Sequence, residues 1–281
     1  MSEPPPLVAA GVDVRYGGFR AIVDLDLKVE RRSVTALVGP NGSGKSTLLR
    51  ALGRLVRPSL GSVLLDGRDI AHLPTREVAR RLGVLPQGPT APGGITVAEL
   101  VEQGRYPHAG PLRMLRRQDH DAITEALEVT AMAPFADRAV DSLSGGERQR
   151  AWIALTLAQS APVLLLDEPT TFLDVRFQLE VMELVRSLNQ GAGLTVVMAL
   201  HDLQHAARYA DRMIALSNGR MVADGPPSQV LTTVLLERVF GVKANIVTDP
   251  ASGLPVAIPY GVAQPEPPAT PDGGATTTAR T

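Results

Sequence analysis

The chain has 281 residues, 44% of them hydrophobic, and no cysteine, so it has material for a buried core while disulfides, thiolate metal sites and cysteine nucleophiles are excluded. With 28 basic against 29 acidic residues the formal charge is -1, and no basic excess points to nucleic acid as a partner. The opening Met-Ser-Glu-Pro-Pro-Pro lacks the stretches of a signal peptide, and the longest apolar runs fall far short of the ~20 residues a membrane helix needs, so the expectation is a cytoplasmic protein that leaves any membrane crossing to another chain.

The first third reads as strands at Leu7 to Val14, Ile22 to Val29 and Val34 to Val38. Directly after the third comes Gly39-Pro40-Asn41-Gly42-Ser43-Gly44-Lys45-Ser46, followed by a helix predicted over Thr47 to Leu55. This fits the phosphate-loop pattern in the strand-to-helix context the pattern requires. Glycines let the backbone curl so that successive N–H groups face phosphate oxygens, and the helix adds its positive end. Lys45 is then placed to reach the β- and γ-phosphates and Ser46 to ligate Mg²⁺. By itself the loop says only that phosphate is bound, since kinases, GTPases and helicases share it.

A strand at Gly61 to Leu65, an Asp66-Gly67 turn, a strand at Leu82 to Leu85 and a Gly/Pro loop from Gln87 to Gly94 follow. From Thr96 to Leu157 the apolar residues recur at helical spacing, as an insertion in an α/β frame. Within it, Leu143-Ser144-Gly145-Gly146-Glu147 precedes a helix predicted over Ala151 to Ala158. Ser144 suits an N-cap, and two glycines bare backbone N–H groups at a helix start, which describes an anion-binding device and an ordinary capped helix alike.

The apolar strand Val163 to Leu166 ends in Asp167-Glu168. Ligands gather at the carboxyl ends of buried parallel strands, where Asp167 would hold Mg²⁺ through water and Glu168 would polarise an attacking water. A solvated turn before Pro169 has the same sequence; the phosphate loop upstream favours the functional reading. Helix Arg176 to Leu188, strand Leu194 to Leu200, helix Asp202 to Tyr209, strand Met213 to Leu216 and an Asn218-Gly219 hairpin turn complete a mostly parallel sheet covered on both faces. Beyond about Ala263 the Pro, Thr, Gly and Ala composition predicts a disordered tail, and no internal repeat is present.

Taken in order, these motifs resemble the ATPase subunit of ABC (ATP-binding cassette) transporters, from Leu7 to about Pro259. Tyr16 resembles the aromatic that stacks on adenine, although an edge-strand packing role fits it too. Gln87 resembles the glutamine that couples the Mg²⁺ site to the membrane subunit, Thr171-Phe172-Leu173-Asp174 the D-loop, and His201 the switch histidine; a turn residue and a capping or core histidine are the plainer alternatives. Glu147 departs from the commoner glutamine and Phe172 from the usual small residue.

The resemblance implies an α/β fold: a P-loop NTPase core with a mostly parallel sheet, an N-terminal antiparallel β subdomain and an inserted helical subdomain at approximately 88–158. These lie within an ATPase domain at 1–263, with a tail at 264–281. It implies ATP and Mg²⁺ as cofactors, with Lys45, Glu168 and His201 catalytic and Ser46, Gln87 and Asp167 around the metal. Nucleotide contacts are implied for Tyr16, for Gly39 through Thr47 and, across a dimer, for Ser144, Gly145, Gly146, Glu147 and Asp174. The implied partners are a second ATPase subunit in a homodimer, an integral-membrane permease and, indirectly, a substrate-binding protein, which puts the chain on the cytoplasmic face of the membrane. Gly104-Arg105-Tyr106-Pro107-His108, the stretches Arg148 to Ala154 and Leu166 to Asp174, and Val239-Phe240-Gly241-Val242 with Pro259 resemble iron(III)-siderophore importers. Vitamin B12 and haem importers have closely similar motors. A soluble P-loop kinase is the more distant alternative, in which the Ser144 segment has no task.

Overall fold

The structure is a computed structural model that describes residues 4–109 and 115–263; the tail expected from the composition lies outside them. Strands β1 (Leu7–Tyr16) and β2 (Phe19–Val29) pair antiparallel across Gly17-Gly18. Along β2, Leu25, Leu27 and Val29 are buried and Asp24, Asp26 and Lys28 are exposed, the period-two pattern of a sheet with one apolar face. Strand β3 (Val34–Val38) is buried throughout. Helix α1 (Lys45–Leu52) begins earlier than the predicted Thr47 and ends short of the predicted Leu55, because Gly53 and left-handed Arg54 (φ 58°) stop it. Strands β4 (Leu60–Leu65) and β5 (Arg68–Asp69) complete a four-stranded antiparallel sheet in the order β2-β1-β4-β5.

Helix α2 (Thr75–Ala79) leads into β6 (Leu82–Leu85), and the helical segment contributes α3 (Val97–Glu102), α4 (Arg117–Val129) and α5 (Gly145–Ala158). Then come β7 (Val163–Asp167), α6 (Val175–Ala192), β8 (Thr195–Ala199), α7 (Leu203–Tyr209), β9 (Arg212–Ser217) and β10 (Arg220–Gly225). The chain closes with α8 (Pro227–Val230), α9 (Thr233–Phe240) and the hairpin β11 (Val242–Thr248) and β12 (Pro255–Val262), which the sequence reading did not resolve.

The large sheet runs β10-β9-β3-β8-β7-β6, parallel except for the β9–β10 hairpin. Leu37 and Asp167 both register with Ala199, so β3, β7 and β8 end in one row and deliver Gly39, Asp167-Glu168 and His201 to the same edge. One face of this sheet packs Leu37 and Val197 against Leu48, Leu49 and Leu52 of α1 and Leu25 of β2. The other packs Val38, Leu166 and Val196 against Val181 and Met182 of α6 and Ala206 of α7. Each large aliphatic side chain buried in this way contributes about 1.5–3 kcal/mol.

Helices α3 to α5 enclose their own core around Leu100, Leu127 and Ala154. A buried ion pair pins it: Arg105 Nε donates to Asp119 Oδ1 at 2.9 Å, and Arg105 Nη1 reaches Ala158 O at 2.6 Å and Ser160 Oγ at 2.8 Å. Burial works to raise the Asp119 carboxyl, but the Arg116 backbone N–H and the Arg105 guanidinium outweigh it and hold the group below its usual range. Gln159 Nε2 donates to Leu82 O at 3.0 Å, fastening the end of α5 to β6. No described helix is long and apolar enough to cross a membrane.

Candidate active site

The phosphate loop curls because its glycines meet conditions other residues cannot. A Cβ at Gly39 would lie 2.3 Å from Leu216 O, and one at Gly44 would lie 2.7 Å from Ala21 O. Ser43 N–H donates to Pro40 O at 3.1 Å, and Gly219 N–H donates to Ser43 O at 3.0 Å, so the β9–β10 turn braces the loop. Gly44, the N-cap of α1, offers no side-chain hydrogen bond to the first turn, which leaves a positive helix end facing the cleft. Lys45 is buried and folds back onto Gly39 O at 2.8 Å and Pro40 O at 3.2 Å. Burial lowers its pKa, with Glu168 and Asp167 opposing. Its ammonium can exchange these two carbonyls for phosphate oxygens, since both accept hydrogen bonds and the phosphate adds opposite charge.

Ser46 Oγ donates to Asp167 Oδ1 at 2.8 Å. Asp167 Oδ2 is buried and has no hydrogen-bond partner among the described residues; the nearest cation is Arg50 Nε at 3.9 Å. Burial pushes the carboxyl above its usual range, against the pull of Ser46 and Arg50. A hydroxyl and an unsatisfied carboxylate oxygen side by side fit a hard divalent cation. Among the described residues no group of three or more His, Cys, Asp or Glu gathers to hold a metal ion.

Glu168 takes a left-handed backbone (φ 53°), its N–H donating to Ala199 O at 3.1 Å. Strain of this kind, of order 1–3 kcal/mol, persists where surroundings over-determine it. Here they do: Oε1 meets His201 Nε2, and Oε2 accepts from Gln87 Nε2 and, at 3.1 Å, from Thr171 Oγ1. Gln87, grouped with the cation ligands by resemblance, is thus bonded to Glu168 and not to Ser46 or Asp167 in this structure.

Helix α5 starts at Gly145, well before the predicted Ala151, because Ser144 and Glu147 form a capping box: Glu147 N–H donates to Ser144 Oγ at 3.3 Å and Ser144 N–H donates to Glu147 Oε2 at 2.8 Å. The Ser144 backbone N–H holds the Glu147 carboxyl below its usual range. Gly146 lies under the Phe177 ring, which a Cβ would approach to 2.5 Å. Asp174 caps α6 through Phe177 N–H at 3.1 Å.

A cleft of about 200 Å³ gathers Tyr16, Phe19 and Ala21 from the β1–β2 hairpin, Asn41 to Thr47 from the loop, and Glu168 and His201. Ser144 to Glu147 and Asp174 do not line it. Gly145 and Arg148 border a separate hollow of about 210 Å³ with Gln87, Trp152 and Phe172, and Glu168 lines both. Phe172 is 97% exposed and left-handed (φ 64°). Phe19 and Ala21 are the lining residues the sequence reading missed. The signal was the Gly17-Gly18 dipeptide, which reads as a two-residue hairpin turn and pairs its neighbours.

A glycine loop on a helix end, an acid pair at the tip of β7 and a histidine on that acid define a P-loop ATPase of the cassette type. The chain belongs to the ABC transporter family, which it matches over residues 22–171, and is an ABC ATPase. It is 50% identical to the "Probable siderophore transport system ATP-binding protein YusV" of Bacillus subtilis (strain 168), covering 88% of this chain and 90% of that one. It is 47% identical to the ferric enterobactin transport ATP-binding protein FepC of Escherichia coli (strain K12), covering 89% and 92%. Among solved structures it resembles a dimeric post-hydrolysis state of an ATP-binding cassette bound to ADP and Pi, at a TM-score of 0.69 and 28% identity over 79% of this chain and 98% of that one.

Proposed function

We propose that this ATPase drives iron(III)-siderophore uptake, working as a pair of identical cassettes on the cytoplasmic face of a membrane permease that receives cargo from a substrate-binding protein. The observation that carries the chemistry is the Glu168 carboxylate, held by His201, Gln87 and Thr171 in the cleft that also holds Lys45 and Ser46. The cargo assignment rests on the likeness to siderophore-transport ATPases.

In this reading the backbone amides of Gly39 to Thr47 cradle the phosphates and Lys45 leaves the loop carbonyls for β- and γ-oxygens. Ser46, Asp167 and Gln87 would hold Mg²⁺, which when bound would neutralise charge on the phosphates. Glu168 orients a water toward the γ-phosphorus and accepts its proton as ADP leaves, and His201 fixes that carboxylate. Ser144 to Glu147 and Asp174 lie outside the cleft, so they act on nucleotide held by the other copy. Residues 1–263 form the ATPase unit, and the helical portion at about 88–158 carries the closing movement to the permease.

The reading is tested by reconstituting the chain with its permease and binding protein in vesicles and measuring ATP-dependent uptake of iron(III)-siderophore, cobalamin and haem. Siderophore-iron uptake that needs Glu168 is expected. Uptake of cobalamin or haem alone would reassign the cargo, and transfer of phosphate to a small molecule would point to the kinase instead.

A further inference from the structure

Tyr16 and Phe19 flank the Gly17-Gly18 turn as a registered pair, which puts both side chains on the same face of the hairpin. Ala21 shares that face by the two-residue pleat, and all three line the cleft that the phosphate loop also lines. The rings are 47% and 64% exposed, while Ile22, next along β2, is fully buried in the core. The hairpin thus leaves two partly exposed aromatic surfaces beside a phosphate cradle.

We propose that Phe19 is a second aromatic wall of the nucleobase site beside Tyr16, and that this pair holds a base by its flat face without reading which purine it is. The inference rests on the reading that the cleft takes ATP. Of the three cleft residues on the hairpin only Tyr16 carries a polar group, and one hydroxyl cannot separate adenine from guanine. Arg20, between Phe19 and Ala21 on β2, is tied to Asp13, with Nε 3.0 Å from Oδ1. Stacking is tolerant of base identity because every base offers a π-face.

The test measures binding of Mg·ADP, Mg·GDP and pyrophosphate to the full chain by calorimetry, in wild type and in Phe19→Ala, Phe19→Leu and Phe19→Tyr. Diphosphates avoid turnover, and thermal melts establish folding. Phe19→Ala and Phe19→Leu should weaken ADP and GDP equally, by about tenfold, with pyrophosphate unchanged and Phe19→Tyr close to wild type. Phe19→Leu keeps apolar bulk without a π-face, so it carries the test should Phe19→Ala fail to fold. ADP affinity within about twofold of wild type in either variant overturns the proposal, as does a parallel loss of pyrophosphate or a strong wild-type preference for ADP over GDP. Wild type that binds neither nucleotide sinks the ATP reading itself, a result distinct from any effect of the variants.

Discussion

Ser46 and Asp167, 121 positions apart in sequence, share a hydrogen bond of 2.8 Å that joins the first turn of α1 to the tip of β7. The second carboxylate oxygen is buried with no hydrogen bond among the described residues, so this corner is short of positive charge. Chelating divalent cations should weaken ATP binding to wild type by about tenfold or more, whereas Asp167→Asn should respond by less than about threefold. Calorimetric titration with and without EDTA checks this; an undiminished response in Asp167→Asn would remove Asp167 from the cation site.

Glu168→Gln keeps the shape of the side chain and removes its ability to accept a proton. Hydrolysis should fall by about 10²–10⁴ while ATP affinity stays within about threefold. Single-turnover phosphate release separates the two quantities, and near-normal release would count against Glu168 as the base.

The three side chains on Glu168 should differ in weight. His201→Ala strips a ring from one oxygen and should lower kcat by about 10²-fold, while Thr171→Ala removes one neutral hydrogen bond, worth about 1 kcal/mol, and should lower it by less than about tenfold. Equal losses in the two variants would mean that the loop is disturbed as a whole.

Ser144 lies outside the cleft that holds Lys45, and in the proposed dimer the Ser144 of one copy serves the Lys45 of the other. Lys45→Ala and Ser144→Arg chains should each be inactive alone. Mixed in equal amounts they should recover about a quarter of wild-type activity, since half of the two-fold dimers are mixed and one of their two sites is whole. No recovery from a mixture shown to form mixed dimers argues that each copy works alone.

Arg105→Ala strands the buried Asp119 carboxylate and frees Ala158 O and Ser160 Oγ. Losing one member of a buried pair costs about 3–5 kcal/mol, so the urea midpoint should fall markedly. A midpoint close to wild type would show that water reaches the pair.

Strands β3 and β6 were legible to the residue, because an apolar run buried on both faces has abrupt ends. Helix α5 was placed too late because two glycines argue against helix by propensity, while the capping box that starts it depends on a contact between Ser144 and Glu147. The β11–β12 hairpin was missed since, of its inward residues, Val242 and Ile246 are only partly covered and the buried Ala244 is small, which makes a weak alternation. The loop, the acid pair and His201 were readable as motifs. The bond from Gln87 to Glu168 was not, because it joins side chains 81 positions apart.

Phe172 sits on a left-handed turn with its ring almost wholly in water. The turn costs of order 1 kcal/mol for a bulky residue, and a phenyl ring left in solvent forgoes about 2–3 kcal/mol that burial would return. Neither expense is recovered by this polypeptide's own folding. Kept concentrated on its own, the purified cassette therefore carries a sticky point at Phe172, and its shelf life should respond to the size of that side chain.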